Sequence, residues 1–188
     1  YYRVIADCAC KDNQVYDEWI VRDQGAMVRQ IGFTPKQFAQ IIIDKEGGLE
    51  KANKLFDIKD IKPSDYHPVK VEKNSAGEVY SKILNKVFEE GYDFKDYNRA
   101  SSIYWPGNKL GHGREDIAKL WNSLKSMLTD IKFTIEHVGY LNEPNKSPRA
   151  SIRWFLEGVH SNDSKDYEKK TNSKLFIMGI NHVELNLD

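Results

Sequence analysis

Two histidines and one glutamate are the residues of this sequence best suited to acid–base chemistry. His160 ends a long predicted strand and His182 lies late in the next strand, so both stand near strand ends where a pocket could open. An imidazole titrates near neutral pH and can therefore move a proton under physiological conditions. Glu184 lies two residues beyond His182 on the same strand face, where it could orient the imidazole or act as a base. The alternative is a histidine satisfied by backbone or water.

Aromatic and apolar side chains near these positions could form the walls of a binding pocket. Ligand pockets are mostly apolar and carry a few well-placed polar groups. The candidate wall residues are Trp154, Tyr104, Trp105, Met178 and Phe176. The alternative for each of them is a place in the ordinary hydrophobic core.

The elements that must position these residues follow from turn chemistry and hydrophobic periodicity. Residues 1–30 are predicted to form a β-hairpin, because aromatic and β-branched runs flank a polar turn. Residues 34–37 carry a capping box and a proline at the first helical position, so they predict the start of a helix. Two glycines at 47–48 end that helix. Residues 49–72 are rich in Lys and Asp and are predicted to be a linker.

The rest of the chain is predicted to place helices before strands. Helices are expected over residues 75–90 and 114–128, with residues 104–108 as a loop. Three strands follow, at residues 132–141, 149–160 and 174–187. This order predicts an α+β domain in which helices pack on one face of a curved antiparallel sheet.

Composition excludes several classes of function. The chain has 188 residues, with 28 Lys plus Arg against 28 Asp plus Glu, so no net field attracts nucleic acid or an anionic membrane. No apolar run approaches the roughly 18 residues that a membrane-spanning helix needs. We therefore expect no nucleic-acid partner and no membrane partner.

The two cysteines of the chain, Cys8 and Cys10, lie two residues apart on the first predicted strand, so their side chains share a face. Neighbours at this spacing rarely form a good disulfide, and no further Cys or His stands at the spacing of zinc ligands. We interpret both cysteines as reduced core residues. We also expect a cytoplasmic protein that needs no bound metal and no cofactor.

Short motifs in the second half of the chain point to a family. They are Gly-Arg-Glu-Asp-Ile leading to Leu-Trp at residues 113–121, Ile-Arg-Trp-Phe-Leu-Glu-Gly-Val-His at residues 152–160, and Ile-Met-Gly-Ile-Asn-His at residues 177–182. Together they resemble the SnoaL-like polyketide cyclase family, a branch of the nuclear-transport-factor-two-like superfamily. The resemblance implies a cone-shaped α+β barrel with helices on the concave face of its sheet and a pocket at its open end.

The same resemblance suggests how the chain is divided. Residues 12–23 are similar to the turn and Glu-Trp strand with which the family closes its sheet, and the chain stops before that segment would recur. We interpret residues 1–48 as the C-terminal part of a first SnoaL-like copy and residues 49–72 as a linker. Residues 73–188 then form a SnoaL-like α+β barrel domain that lacks its closing strand. The N-terminal hairpin is expected to pair with further strands, because an isolated two-stranded ribbon is marginal in water.

Two functions remain open at this point. The resemblance implies a cofactor-independent enzyme, of cyclase, isomerase, lyase or dehydratase type, that acts on an apolar carbonyl-bearing small molecule. Near the position of the family's acidic residue, the last strand holds Asn181, His182 and Glu184. The alternative is a non-catalytic module that binds a ligand, or that forms a homodimer through the outer face of its sheet.

One geometric expectation separates the two functions. We expect Trp154 and His182 to line one cavity beneath the helix around Ile83 and Val87. A pocket that holds His182 with a carboxylate or a second histidine in reach would favour the enzyme. A filled interior with His182 exposed would favour the non-catalytic module.

Overall fold

The computed structural model describes residues 2–52, 71–164 and 169–186. Tertiary contacts divide the chain into two compact units. The first consists of Tyr1–Tyr66 with Tyr104–Lys109, and the second of His67–Ile103 with Leu110–Asp188. Most of the predicted linker, residues 53–70, lies outside the described residues. Within the described ranges, no helix is long and apolar enough to cross a membrane.

The first unit begins with the predicted hairpin, whose strands are β1 (Val4–Lys11) and β2 (Gln14–Arg22). The strands pair antiparallel and are joined by Asp12 and Asn13, both with positive φ angles. Two-residue hairpin turns favour positive φ, and Asn and Asp tolerate it better than most residues. The predicted turn chemistry is therefore confirmed.

Helix α1 (Gln24–Gln30) occupies residues that were predicted to belong to the hairpin, so that part of the prediction is wrong. The Asp23 carboxylate caps the helix by accepting a hydrogen bond from the Ala26 amide at 2.9 Å. It also accepts from the amides of Gly107 (2.8 Å) and Asn108 (3.0 Å). Burial acts to raise the pKa of Asp23, but these hydrogen bonds outweigh it, and the pKa is lowered. A helix of seven residues is too short for hydrophobic periodicity to reveal.

Helix α2 (Pro35–Lys45) confirms the predicted capping box. The Thr34 hydroxyl accepts from the Gln37 amide at 3.2 Å, and the Gln37 side chain accepts from the Thr34 amide at 2.8 Å. None of the residues of α2 is buried, so its apolar stripe does not join a core among the described residues. A single helical turn, α3 (Leu49–Ala52), follows.

The cysteines share one face of β1, as their spacing predicts, but their interpretation as core residues is wrong. Cys8 and Cys10 are both exposed and neither forms a disulfide. Ala9, which lies between them, is 2% exposed. The opposite face of the strand is therefore the buried one.

The second unit places its helices before its main sheet, as predicted. Its helices are α4 (Ala76–Lys86) and α5 (Gly113–Ser126). Between them along the chain, β3 (Ser102–Trp105) and β4 (Lys109–His112) form a hairpin where only a loop was predicted. The turn residues 107–108 both have positive φ, and a Gly-Asn pair of this kind is a sequence signal for a hairpin.

The main sheet is antiparallel and has the strand order β5-β6-β7. Its strands are β5 (Leu128–Leu141), β6 (Arg149–His160) and β7 (Lys174–Glu184). Helices α4 and α5 pack on one face of this sheet, which we call the inner face, and the opposite face is the outer face. The chain is therefore an α+β protein with antiparallel sheets, as its sequence predicts.

Strand register decides which side chains of the sheet face the helices. Trp154 of β6 pairs with Gly179 of β7, and Ser151 of β6 pairs with His182 of β7. The Trp154 ring contacts Trp121 of α5, so Trp154 lies on the inner face. Because successive residues of a strand alternate between its faces, Ser151 and His182 lie on the outer face.

Candidate functional site

The inner face of the sheet holds an aromatic core. Trp121 is fully buried, and its ring centroid lies 5.9 Å from that of Trp154. Phe133 of β5 lies 5.7 Å from Trp154 and stacks on Phe88 at 4.3 Å. Aromatic pairs at such separations contribute about 0.5–1.5 kcal/mol beyond their buried area. Aromatic side chains therefore fill the space between α5 and the sheet beside Trp154.

A chain of hydrogen bonds crosses this core. The Trp154 indole N–H donates to Asn181 Oδ1 at 2.6 Å, and Asn181 Nδ2 donates to the Tyr80 hydroxyl at 3.1 Å. Tyr80 belongs to α4 and is 3% exposed, so these hydrogen bonds join β6 and β7 to the helix. An unpaired polar group in such a place would cost about 1–3 kcal/mol. Asn181 therefore satisfies one buried donor, on Trp154, and one buried acceptor, on Tyr80.

The hydroxyl of Tyr97 lies close to that of Tyr80. Burial raises the pKa of both tyrosines, and the neighbouring Tyr80 hydroxyl raises the pKa of Tyr97 further. Both phenols therefore remain protonated at neutral pH. They can donate hydrogen bonds, but neither serves as a general base there.

His182 and Glu184, two of the predicted catalytic residues, are exposed on the outer face of β7. The prediction that Trp154 and His182 line one cavity is wrong, because the strand register places them on opposite faces of the sheet. Asn181, the residue just before His182, is the one that reaches the core. A register difference of one residue thus separates the imidazole from the inner face.

His160, the third predicted catalytic residue, is 5% exposed at the end of β6. Its Nδ1 lies 3.3 Å from the Thr171 hydroxyl, and its backbone amide donates to the Ser173 carbonyl at 3.0 Å. His182 pairs with Ser151, which lies nine residues before His160 on β6. At about 3.3 Å per residue, the two ends of this stretch are roughly 30 Å apart. The structure therefore does not bring the two histidines together.

The residues that were predicted to form the pocket walls do not lie together in the structure. Trp154 lies on the inner face, whereas Phe176 and Met178 lie on the outer face of β7. The sheet itself therefore separates Trp154 from these two residues. Tyr104 and Trp105 belong to the first unit, where Tyr104 is 59% exposed and lies 4.2 Å from the Arg3 guanidinium.

Two surface depressions lie among the described residues. One, of about 210 Å³, lies at an end of the sheet and is lined in part by Arg149, Ser151 and His182. The Arg149 guanidinium is already paired with Glu143, so its charge is matched. The other, of about 280 Å³, is lined by polar side chains of residues 86–95. Neither is lined by the tryptophans of the aromatic core.

The sequence does not identify the polar side chains of the core, which are those of Tyr80, Tyr97 and Asn181. Both faces of β7 carry apolar residues, so alternation alone does not show which face is buried. The one usable signal was Gly179, whose missing side chain leaves room for a large neighbour on the inner face. A Cβ at that position would lie 2.0 Å from the Trp154 ring.

Comparison with known proteins identifies no relative of the chain. No family model, no curated protein and no solved structure matches the chain.

Proposed function

We propose that the chain is a non-catalytic module that forms a homodimer through the outer face of its three-stranded sheet. A partly exposed aromatic pair on that face carries the proposal. Phe155 and Phe176 stack with ring centroids 6.1 Å apart, and Phe176 is 44% exposed. Met178 pairs with Phe155 across the strands and extends the apolar patch. Aromatic residues and Met are enriched at protein interfaces relative to the rest of the surface.

The arrangement of the acid–base candidates supports a non-catalytic role. His182 and Glu184 are exposed on the outer face, and His160 is buried at the far end of the sheet. General acid–base catalysis requires such groups within hydrogen-bond reach of one substrate. The aromatic core on the inner face offers them no common cavity, so a binding role fits this geometry better than an enzymatic one.

The charges of the chain permit a second copy as the partner. Equal numbers of acidic and basic residues leave no net charge to drive two copies apart. Glu157 pairs with Phe176 in the strand register and forms an ion pair with Lys132 at 3.2 Å. In a two-fold dimer, the aromatic pairs can meet at the centre while Lys132 of each copy faces Glu157 of the other. Both charges then remain matched at the rim.

We further propose that the second unit has the cone-shaped SnoaL-like fold. Supporting this, its helices share one face of the sheet, and the register of β5 shifts at residues 129–132 and 135–137. Such irregularities bend a strand and increase its twist. The exposed free thiols are consistent with the proposed cytoplasmic location, where cysteines stay reduced.

Replacing Phe176 with lysine is expected to weaken the dimer by at least about 30-fold, because the loss of a hot spot costs 2 kcal/mol or more. The measurement is sedimentation equilibrium over a range of protein concentrations. Val79→Lys is the matched control, since Val79 is 41% exposed on α4, away from the outer face. A native chain that is monomeric at high concentration, or equal weakening by both variants, would refute the proposal.

The buried hydroxyls favour a second candidate function, a cofactor-independent small-molecule enzyme. Because Tyr80 and Tyr97 stay protonated, they could donate hydrogen bonds to the oxygen of a carbonyl-bearing ligand. The aromatic core would have to open to admit that ligand. Saturable quenching of tryptophan fluorescence by an apolar ketone, lost in Tyr80→Phe, would support this function over the dimerisation module.

A further inference from the structure

The exposed face of β1 carries two thiols that the proposed dimer does not use. Cys8 and Cys10 are both exposed, neither forms a disulfide, and they lie on one strand two residues apart. The hairpin has one β-bulge, and its extra residue is Tyr16 of β2. Ala9 pairs with Asp17, and the next residue, Cys10, pairs with Val15. The cysteine strand is therefore regular, and both side chains project from the same face.

Each of the two sulfur atoms lies beside an oxygen atom of the hairpin. Cys10 Sγ lies 3.9 Å from the carbonyl oxygen of Cys8, so the Cys10 side chain leans back along the strand. Cys8 Sγ lies 3.5 Å from a carboxylate oxygen of Glu18, its partner in the strand register. The exposed face thus presents two thiols and an adjacent anionic oxygen to solvent.

A disulfide is the poorer use of this pair. Two residues that are two positions apart on a strand have Cα atoms roughly 6.6 Å apart, near the upper limit for an unstrained disulfide. Their Cα–Cβ bonds are also nearly parallel rather than convergent. An ion held between the sulfur atoms needs no such approach of the two backbones.

The ligand set selects among metal ions. Structural zinc requires four ligands, and no group of three or more His, Cys, Asp or Glu in the described part of the chain is placed to hold a metal. Thiolates are soft ligands that favour monovalent copper over the harder divalent ions. Two sulfur ligands can satisfy a soft ion of low coordination number.

We propose that Cys8 and Cys10 form a two-thiolate site for a soft metal ion of low coordination number, with monovalent copper as its representative. On binding, two S–H bonds break and two copper–sulfur bonds form. The two protons pass to solvent, and the copper remains monovalent. The site needs no oxidant and no residue outside the hairpin.

The test is an anaerobic titration of the full reduced chain with Cu(I) in the presence of a coloured Cu(I) chelator as competitor. One ion is expected per chain. Cys8→Ser and Cys10→Ser should each weaken binding by more than the roughly 10–100-fold that loss of an outer-shell partner costs, because each removes a direct ligand. Both positions are exposed, so circular dichroism should show both variants folded.

A matched control keeps two cysteines but separates their faces. In the double variant Cys10→Ser with Lys11→Cys, the thiols lie three positions apart and point to opposite sides of the strand. Its affinity for Cu(I) is expected to fall to that of the single variants. The proposal is overturned if this double variant binds as tightly as the native chain. It is also overturned if the native chain binds no Cu(I), binds more than one ion, or shares one ion between two chains.

Discussion

Replacing Trp121 with alanine is expected to destabilise the second unit by about 3–5 kcal/mol, because the truncation leaves a large cavity in a packed core. Trp121 is fully buried between Phe88 and Trp154, with ring centroids 5.9 Å from each. Domains of this size are stable by only about 5–15 kcal/mol, so the variant should lose a large share of its folded stability.

The measurement for Trp121→Ala is equilibrium urea unfolding followed by far-UV circular dichroism, with Trp121→Phe as the control. Phenylalanine keeps one aromatic ring in the site, so its cost should be clearly smaller than that of alanine. A loss below about 1 kcal/mol for the alanine variant would show that the space beside α5 is open rather than packed. That result would favour the small-molecule pocket over the closed core.

Replacing Gly179 with alanine should cost about 3 kcal/mol, at the upper end of the usual range for overpacking. The added methyl group would lie 2.0 Å from the Trp154 ring, much closer than van der Waals contact allows. The indole cannot move aside cheaply, because it contacts Trp121 and Phe133 and donates a hydrogen bond to Asn181. We therefore expect the Trp154 ring to be displaced from the core and the tryptophan fluorescence to shift to the red.

A second-site change distinguishes this clash from a general intolerance of alanine in β7. Combining Gly179→Ala with Trp154→Leu removes the ring that the methyl group meets. The double variant should be more stable than the sum of the two single losses predicts, with a coupling energy on the order of 1–3 kcal/mol. Additive losses in urea unfolding would mean that the two residues do not touch as described.

Local signals in the sequence predicted several elements well. The strand at residues 149–160 was placed at its observed ends, because a turn with two prolines precedes it and a polar loop follows. Helix α2 was placed by Thr34 and Gln37, whose side chains form the capping box. Capping boxes and proline-containing turns act within a few residues, so they can be read without knowledge of the tertiary structure.

The candidate site was predicted less well, because its composition depends on tertiary packing. On β7 the alternating sets that contain Met178 and Ile177 are both apolar, so the sequence does not show which faces the helices. His182 is expected in the interior. Because Gly179 pairs with Trp154, however, Asn181 and not His182 lies on the inner face. The same holds for the exposed cysteines. The alternation of side chains along a strand places Cys8 and Cys10 on one face, but it does not show which face of the hairpin is buried.

Hydrogen exchange of the Trp154 indole N–H tests most directly whether the inner face of the sheet is a closed core. In the closed core this hydrogen is held by Asn181 and shielded by Trp121 and Phe133. Its exchange, followed by NMR, is predicted to require global unfolding of the second unit, so its protection free energy should equal the unfolding free energy measured in urea. Exchange through a local opening, at a free energy several kcal/mol lower, would contradict the closed core and indicate a pocket that opens to ligands.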